Sequence, residues 1–348
     1  MDSKTRMKNL ILKKKIDRVP VNPLASTYTA LISNYSARDY YLNPEIAYES
    51  HLNSMDLHRY DSGPSYSVPN WQTLDFGGEL LFSEEDRRAL PTVISYPATN
   101  SKEISKLRIP DFKEAPIASR MIKFTEILTK NGFGYGVPSD SALDGAESLV
   151  GANLLMRLMI KDPQAVHYLL ELNTKYVLDM AKYMLDRFGT EGVSAFSGYP
   201  VDSHDLISPK YFEEFSLPYI KEIIETLQDW GVKNFIIHLC GDHYHNLDHW
   251  LKSVKLPKRT IFTIGTQMDI VETAERIGSD HIIGGNVRNI TLATGHPKDV
   301  YNECGEIIKK VKDFEGGFIL MPDCGLSSMT PAANVEAMIR AAEDFGSY

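Results

Sequence analysis

The run FIIHLCGDHYHNL places His238 and Cys240 two residues apart at the end of an apolar segment. Residues i and i+2 leave the same face of a strand, so an imidazole and a thiolate would point at one spot. A second apolar run, GFILMPDCG, ends in the same way with Cys324. One imidazole and two thiolates suit Zn2+ and leave a fourth position open, which separates a catalytic site from a structural one. The plainer reading is that buried cysteines are small apolar residues, and these two do not have zinc-finger spacing. The third cysteine, Cys304, lies on an apolar helical stripe with Val300, Ile307, Ile308 and Val311, and reads as core.

Other polar groups stand near the ends of candidate strands. Asp202 and His204, in GYPVDSHDLISP, are candidate catalytic groups that would orient substrate or move a proton. The competing reading is a loop leading to a helix cap at Ser208. Asp140 and Ser141 follow another strand and carry the same two readings, here as substrate contacts. Asn286 closes a GGN run in which Gly284 and Gly285 would let a ligand approach the backbone. From Tyr28 to Trp71 the chain is rich in tyrosine and poor in cations. That stretch would stack on an aromatic or neutral substrate, with Tyr28 as a contact, or would merely pack an irregular region. His243 and His245 read as surface or supporting groups beside the metal motif, and Asp242 and Asp323 as carboxylates that steady its ligands.

The elements that must position these groups alternate. Candidate strands are Gly134–Val137, Gly192–Phe196, Asn234–Leu239, Thr260–Ile264, His281–Gly285 and Gly317–Met321, with a proline-weakened one at Val19–Leu24. Helical patterns run between them, among them Pro163–Phe188, Pro209–Trp230, Pro297–Val311 and Pro331–Phe345, after a first helix capped by Ser3. Ser208-Pro209 and Thr330-Pro331 each pair a capping residue with proline at the first helical position. Strands alternating with helices imply a parallel sheet with crossovers. No GxGxxG or GxxxxGK[ST] run marks an open doubly wound sheet, and Gly132, Gly134 and Gly136 lack phosphate-loop spacing. The expected fold is therefore an α/β (β/α)8 TIM barrel, one domain over 1–348, with an irregular N-terminal embellishment over about 28–117. Its eighth strand is sought near Asp56–Tyr60 or Asp75–Phe82.

Across the 348 residues, 37 Lys and Arg against 46 Asp and Glu give a net charge of −9, and 43% of residues are hydrophobic. That balance speaks against a nucleic-acid or anionic-membrane partner. No run reaches the roughly 20 apolar residues of a membrane helix. The basic start, MDSKTRMKNLILKKKIDRVP, lacks a long apolar core, and three cysteines make no disulfide framework. A cytoplasmic location is expected.

DRVPV at 17–21, DLISPKYFEEFSLPYIKEI at 205–223, IIHLCGD at 236–242, GGNV at 284–287 and GFILMPDCGLSSMTPAANVEAMIRAA at 317–342 carry a resemblance. They are similar to the uroporphyrinogen-decarboxylase-like superfamily, and within it to the zinc-dependent corrinoid methyltransferases. The likeness covers most of the chain and is strongest after residue 195. It implies one eight-stranded barrel, zinc on His238, Cys240 and Cys324, and a separate corrinoid protein as partner, because the chain lacks the D-x-H-x-x-G signature of cobalamin binding. It departs from the decarboxylase where an arginine-rich RQAGR stretch would hold the substrate's carboxylates. Here NPLASTYTALISNYSARDYY contains only Arg38, too few cations for a tetrapyrrole bearing many carboxylates. The implied activity is transfer of methyl from a methoxylated compound, a phenyl methyl ether for example, to cob(I)alamin. The alternatives are transfer from methyl-cobalamin to a thiol such as coenzyme M, and a non-catalytic barrel that binds a tetrapyrrole or a corrinoid protein.

Overall fold

A computed structural model describes all 348 residues. Six strands form one parallel sheet in chain order: β1 (Tyr135–Pro138), β2 (Val193–Gly198), β3 (Asn234–Leu239), β4 (Ile261–Ile264), β5 (Ile282–Val287) and β6 (Phe318–Pro322). Each lies within two residues of its expected bounds. The ring closes through two shorter pieces of chain. Val21 bridges Leu320 of β6 in parallel, with the Leu320 N–H donating to Pro20 O at 2.9 Å and the Asn22 N–H to Leu320 O at 3.0 Å. On its other side the Asp61 N–H donates to Val21 O at 2.7 Å. Val19–Leu24 is thus reduced to a single bridge, because Pro20 and Pro23 have no N–H to offer a ladder.

Of the two places considered for the eighth strand, the first is nearly right. The helix Pro44–His58 runs through it, and the strand position follows at Tyr60 and Asp61. The second is wrong: Glu79–Leu81 pairs with Thr92–Ser95 in an antiparallel hairpin outside the barrel. The irregular stretch also divides. Residues 27–58 hold three helices, the last of 15 residues, and fill the crossover between the first two strand positions. Embellishment proper begins after it.

Strand alternation sorts the apolar side chains into two sets. Phe235, Ile237, Phe262, Ile283, Phe318 and Leu320 pack outward against the helices. Ile236, Ile261, Ile282, Ile319 and Met321 gather separately inside the ring, with Leu10 of α1 (Ser3–Ile11) among them. α1 plugs the N-terminal end of the barrel. Asp2, not Ser3, caps it, accepting from the Thr5 N–H at 2.8 Å, and the Arg259 guanidinium donates to the carbonyls of Leu10 and Ile11. Arg6 on α1 reaches Asp61 at 2.5 Å and Asp17 at 2.7 Å, while Arg18 reaches the other Asp61 oxygen at 2.9 Å. The DRVPV segment therefore serves to fasten the plug to the first two strand positions.

Helix Pro163–Phe188 has its expected bounds, with Asp162 as cap. The helix from Pro209 starts at its Ser208 cap but widens into a π-turn over Phe212–Ser216. Pro218 follows at once, and a proline ring would clash with the carbonyl four residues back in a regular helix. Pro331 is extended rather than helical, at φ −65° and ψ 142°, and the last helix opens at Ala332.

Candidate metal centre and the mouth of the barrel

The C-terminal end of β3 presents His238 to the inside of the ring, level with Thr263 of β4. Both are buried, and Thr263 Oγ1 hydrogen-bonds His238 Nδ1 at 2.9 Å. Nδ1 is thereby occupied. Nε2 is buried without any hydrogen-bond partner, a costly state for a ring nitrogen unless something binds it. Cys240 lies just past β3 and Cys324 just past β6, and loops from two distant strands bring them together. The His238, Cys240 and Cys324 donor atoms all lie within 4.8 Å of one another. The neighbouring Cys240 thiol and the His238 ring draw Cys324 down to about 4, while Cys240, beside Cys324 and half-buried, is pushed up. One thiolate, a second cysteine sulfur beside it and one free imidazole nitrogen fit a Zn2+ ion.

The turn after Cys240 requires glycine. Gly241 has φ +96°, and a Cβ there would sit within 2.9 Å of Asp205 and Ser203. His243 braces the turn from behind. Its Nε2 donates to Tyr199 O at 2.9 Å, and burial holds its pKa down to about 4, so it stays neutral. Phe196 of β2 stacks beside the His238 ring, with centroids 6.4 Å apart, and is exposed to the mouth.

The other expected site residues divide sharply. Ser141 caps α2 (Ala142–Val150), accepting from the Leu143 and Asp144 N–H groups at 3.1 and 3.3 Å, and donates to Asp202 Oδ2 at 2.7 Å. Its hydroxyl is fully committed, so it is a brace rather than a substrate contact. Asp202 is completely buried, its Oδ2 accepting from Ser141 and its backbone carbonyl from Asn246, so it stands behind the mouth rather than on its surface. His204 is half-buried, with Nδ1 on Ile207 O at 3.3 Å, Nε2 unpartnered, and the exposed His245 ring packed edge-on against it. The Asn286 amide donates to the Gly265 and Met268 carbonyls at 3.3 and 3.1 Å and ties two loops together. Gly284 makes room for protein, not ligand: a Cβ there would meet Met321 Sδ at 2.7 Å.

Tyr28 is buried, its hydroxyl 2.7 Å from His58 Nε2. Tyr40, Tyr41 and Tyr60 are buried too, and Tyr66 stacks on Phe124. Most tyrosines of this stretch pack an irregular region, while Trp71 lines the cavity beside the metal cluster and Tyr28 a second one. Asp242 and Asp323 cap loop backbone, accepting from the Tyr244 and Asn289 N–H groups. Cys304 is core, as expected.

Beside the metal cluster a cavity of about 310 Å³ opens between α2, the loop after β2 and the Asn70–Gln72 segment. Asp140 lines it, joined by Asp144 and Glu147, which sequence reasoning missed. Burial raises Asp140 and Asp202 to about 6, and burial together with the Asp202 charge lifts Asp144 further. The i, i+4, i+7 spacing of Asp140, Asp144 and Glu147 in SDSALDGAESL was a legible acidic stripe. Thr263 left no comparable signal, because its partnership with His238 crosses strands.

Residues 2–345 match the uroporphyrinogen decarboxylase (URO-D) family. The methylcobamide:CoM methyltransferase MtbA of Methanosarcina acetivorans is 25% identical over 75% of this chain and 73% of its own length. The chloroplast uroporphyrinogen decarboxylase of Nicotiana tabacum is 28% identical over 77% of this chain and 70% of its own. Among solved structures, a methyltransferase from Methanosarcina mazei superposes with a TM-score of 0.81 at 19% identity, covering 99% of both chains. That likeness carries the barrel fold. No helix is long and apolar enough to cross a membrane. A family match over nearly every residue, on a barrel with its chemistry gathered at the C-terminal mouth, identifies the chain as an enzyme belonging to the uroporphyrinogen decarboxylase family.

Proposed function

We propose that the chain is a zinc-dependent methyltransferase that moves a methyl group between a small substrate and the corrinoid of a separate protein. The observation that carries the reading is the convergence of the His238, Cys240 and Cys324 donor atoms within 4.8 Å, with His238 Nε2 buried and unpartnered. A Zn2+ ion held by these three residues would supply Lewis acidity at an open position, enough to activate a bound oxygen or sulfur. The protein's own groups do the rest. The Thr263 hydroxyl, bonded to Nδ1, holds the His238 ring in the orientation that presents Nε2. Phe196 covers the His238 ring and keeps water off one side of it. His204, with Nε2 free near the turn that carries Cys240, is the group able to hold a proton at the mouth.

The names of the methyltransferase relatives support transfer to a thiol. One observation favours demethylation of a methyl donor instead: the adjoining cavity has no lysine or arginine to meet a sulfonate. The packed tyrosines remove the support for an aromatic donor in particular. Decarboxylation of a polycarboxylate gains nothing from a mouth lined by Asp140, Asp144 and Glu147.

Elemental analysis of the purified protein should find about one zinc per chain. Cys324→Ser should lose most of that zinc and at least about 100-fold in methyl transfer between methylcobalamin and a thiol or methyl ether. Full turnover in Cys324→Ser would overturn the reading.

A further inference from the structure

The carboxylates around the cavity beside the metal cluster have no cation to balance them. Asp140, Asp144 and Glu147 line it, and none of its lining residues is lysine or arginine. Asp202 adds a fourth carboxylate next to the start of α2, fully buried, with Oδ1 lacking any hydrogen-bond partner. The donors that do reach the group are neutral: Ser141 to Asp202, the Val201 N–H to Asp144 at 3.1 Å, and the Trp71 indole beside Asp140. Asp140, Asp144 and Glu147 are partly exposed to the cavity, where carboxylates crowded together repel one another and a bound positive charge relieves the repulsion.

We propose that this cavity seats a small organic cation, an ammonium-bearing head group. At about 310 Å³ it has room for a trimethylammonium group and a short chain. Trp71 in its wall supplies the kind of surface that alkylammonium ions favour. An anion of the same size would meet three carboxylates and no donor of opposite charge. The cavity adjoins the metal cluster. Pro200 and Val201 line it, while the preceding Tyr199 donates its N–H to His238 O at 3.0 Å and Gly198 packs against the His238 ring. A head group held at Asp144 lies within electrostatic reach of Cys240. That the cation is the substrate's own rests on the methyltransferase reading; that the cavity binds cations does not.

The test titrates the zinc-loaded full chain, without corrinoid protein, with choline and with 3,3-dimethyl-1-butanol, its uncharged isostere. Sodium ethanesulfonate serves as the anion, and calorimetry at constant ionic strength as the readout. Choline should bind saturably and at least tenfold more tightly than the isostere. Asp140→Asn and Asp144→Asn should each weaken it at least tenfold, while Asp140→Asn melts a few degrees higher at pH 8 than the parent. A merely structural role for Asp140 would lower the melting temperature instead. No saturable choline binding, equal binding of the isostere, or tighter binding of ethanesulfonate each overturns the proposal. Zinc content and methyl transfer, measured on the same samples, report on the methyltransferase reading separately: their loss with choline binding intact would sink that reading and leave the cavity's assignment standing.

Discussion

Thr263 is the residue on which His238 depends most directly. Its hydroxyl is the only group on Nδ1, so Thr263→Val should leave the ring free to turn and to take the other tautomer. Zinc affinity, read by competition with a chromophoric chelator, should fall about 10- to 100-fold, and Thr263→Ser should restore most of it. Asp140 offers a pH-dependent counterpart. Its folded value of about 6 lies above the ordinary 3.8, so the folded state binds the extra proton and is stabilised by it below pH 4. That stability is lost as pH rises through 6. Asp140→Asn should therefore gain about 1–3 kcal/mol at pH 8, with the gain vanishing below pH 4, as urea melts across pH would report. At this scale the H-x-C pair and the distant cysteine were legible, because i and i+2 share a strand face whatever the fold. Ser141, Asp202 and Asn286 were legible as polar residues at strand ends but not as braces, since that depends on which loop faces which. Tyr28 was misread because a tyrosine's type does not tell whether its hydroxyl meets substrate or a buried histidine.

Among the elements, α1 is the one whose removal the barrel should feel first. Asp61 is buried and takes charge from both Arg6 and Arg18 while also accepting from the Val21 N–H. Asp61→Ala leaves Arg6 facing inward with only Asp17, and should cost about 3–5 kcal/mol in urea unfolding. Leu10→Ala, which opens a hole under Ile261, Ile282 and Ile319, should cost about 2–4 kcal/mol. If Asp61→Ala were neutral, the plug would be a passive covering. The six inner strands could be read from sequence because apolar runs of that length between helices have few other meanings. The first two strand positions were read only loosely, as Val19–Leu24 and as one of two places for the eighth strand, since prolines 20 and 23 mask one and the other follows directly on a helix. The hairpin at Glu79–Ser95 copied a strand's pattern while belonging to no barrel.

On the scale of the whole molecule, the metal cluster and the core are separable. The three donors sit at or beyond strand ends, while the ring's interior is filled by five strand residues and Leu10 from the far side. Removing zinc with a chelator should therefore abolish methyl transfer while the far-UV spectrum stays the same and the melting temperature drops by only a few degrees. A collapse of the fold on chelation would make the cluster structural, like a zinc finger's. The net charge of −9 fitted no particular partner, and the architecture explains why. Its negative side chains are scattered over the chain, and the few that line the cavity at the mouth have no lysine or arginine beside them.

The bond between Val21 and Leu320 also has a bearing on time. A ribosome delivers Val21 299 residues before Leu320, and the ring cannot close until both exist. Until then α1 has no closed ring to plug and the inner wall that Leu10 meets is incomplete. The nascent chain must carry an open sheet with two bare edges. A chaperone that engages such edges, or a slow stretch of translation before residue 318, would act on this protein at the stage where it is most exposed to misassembly.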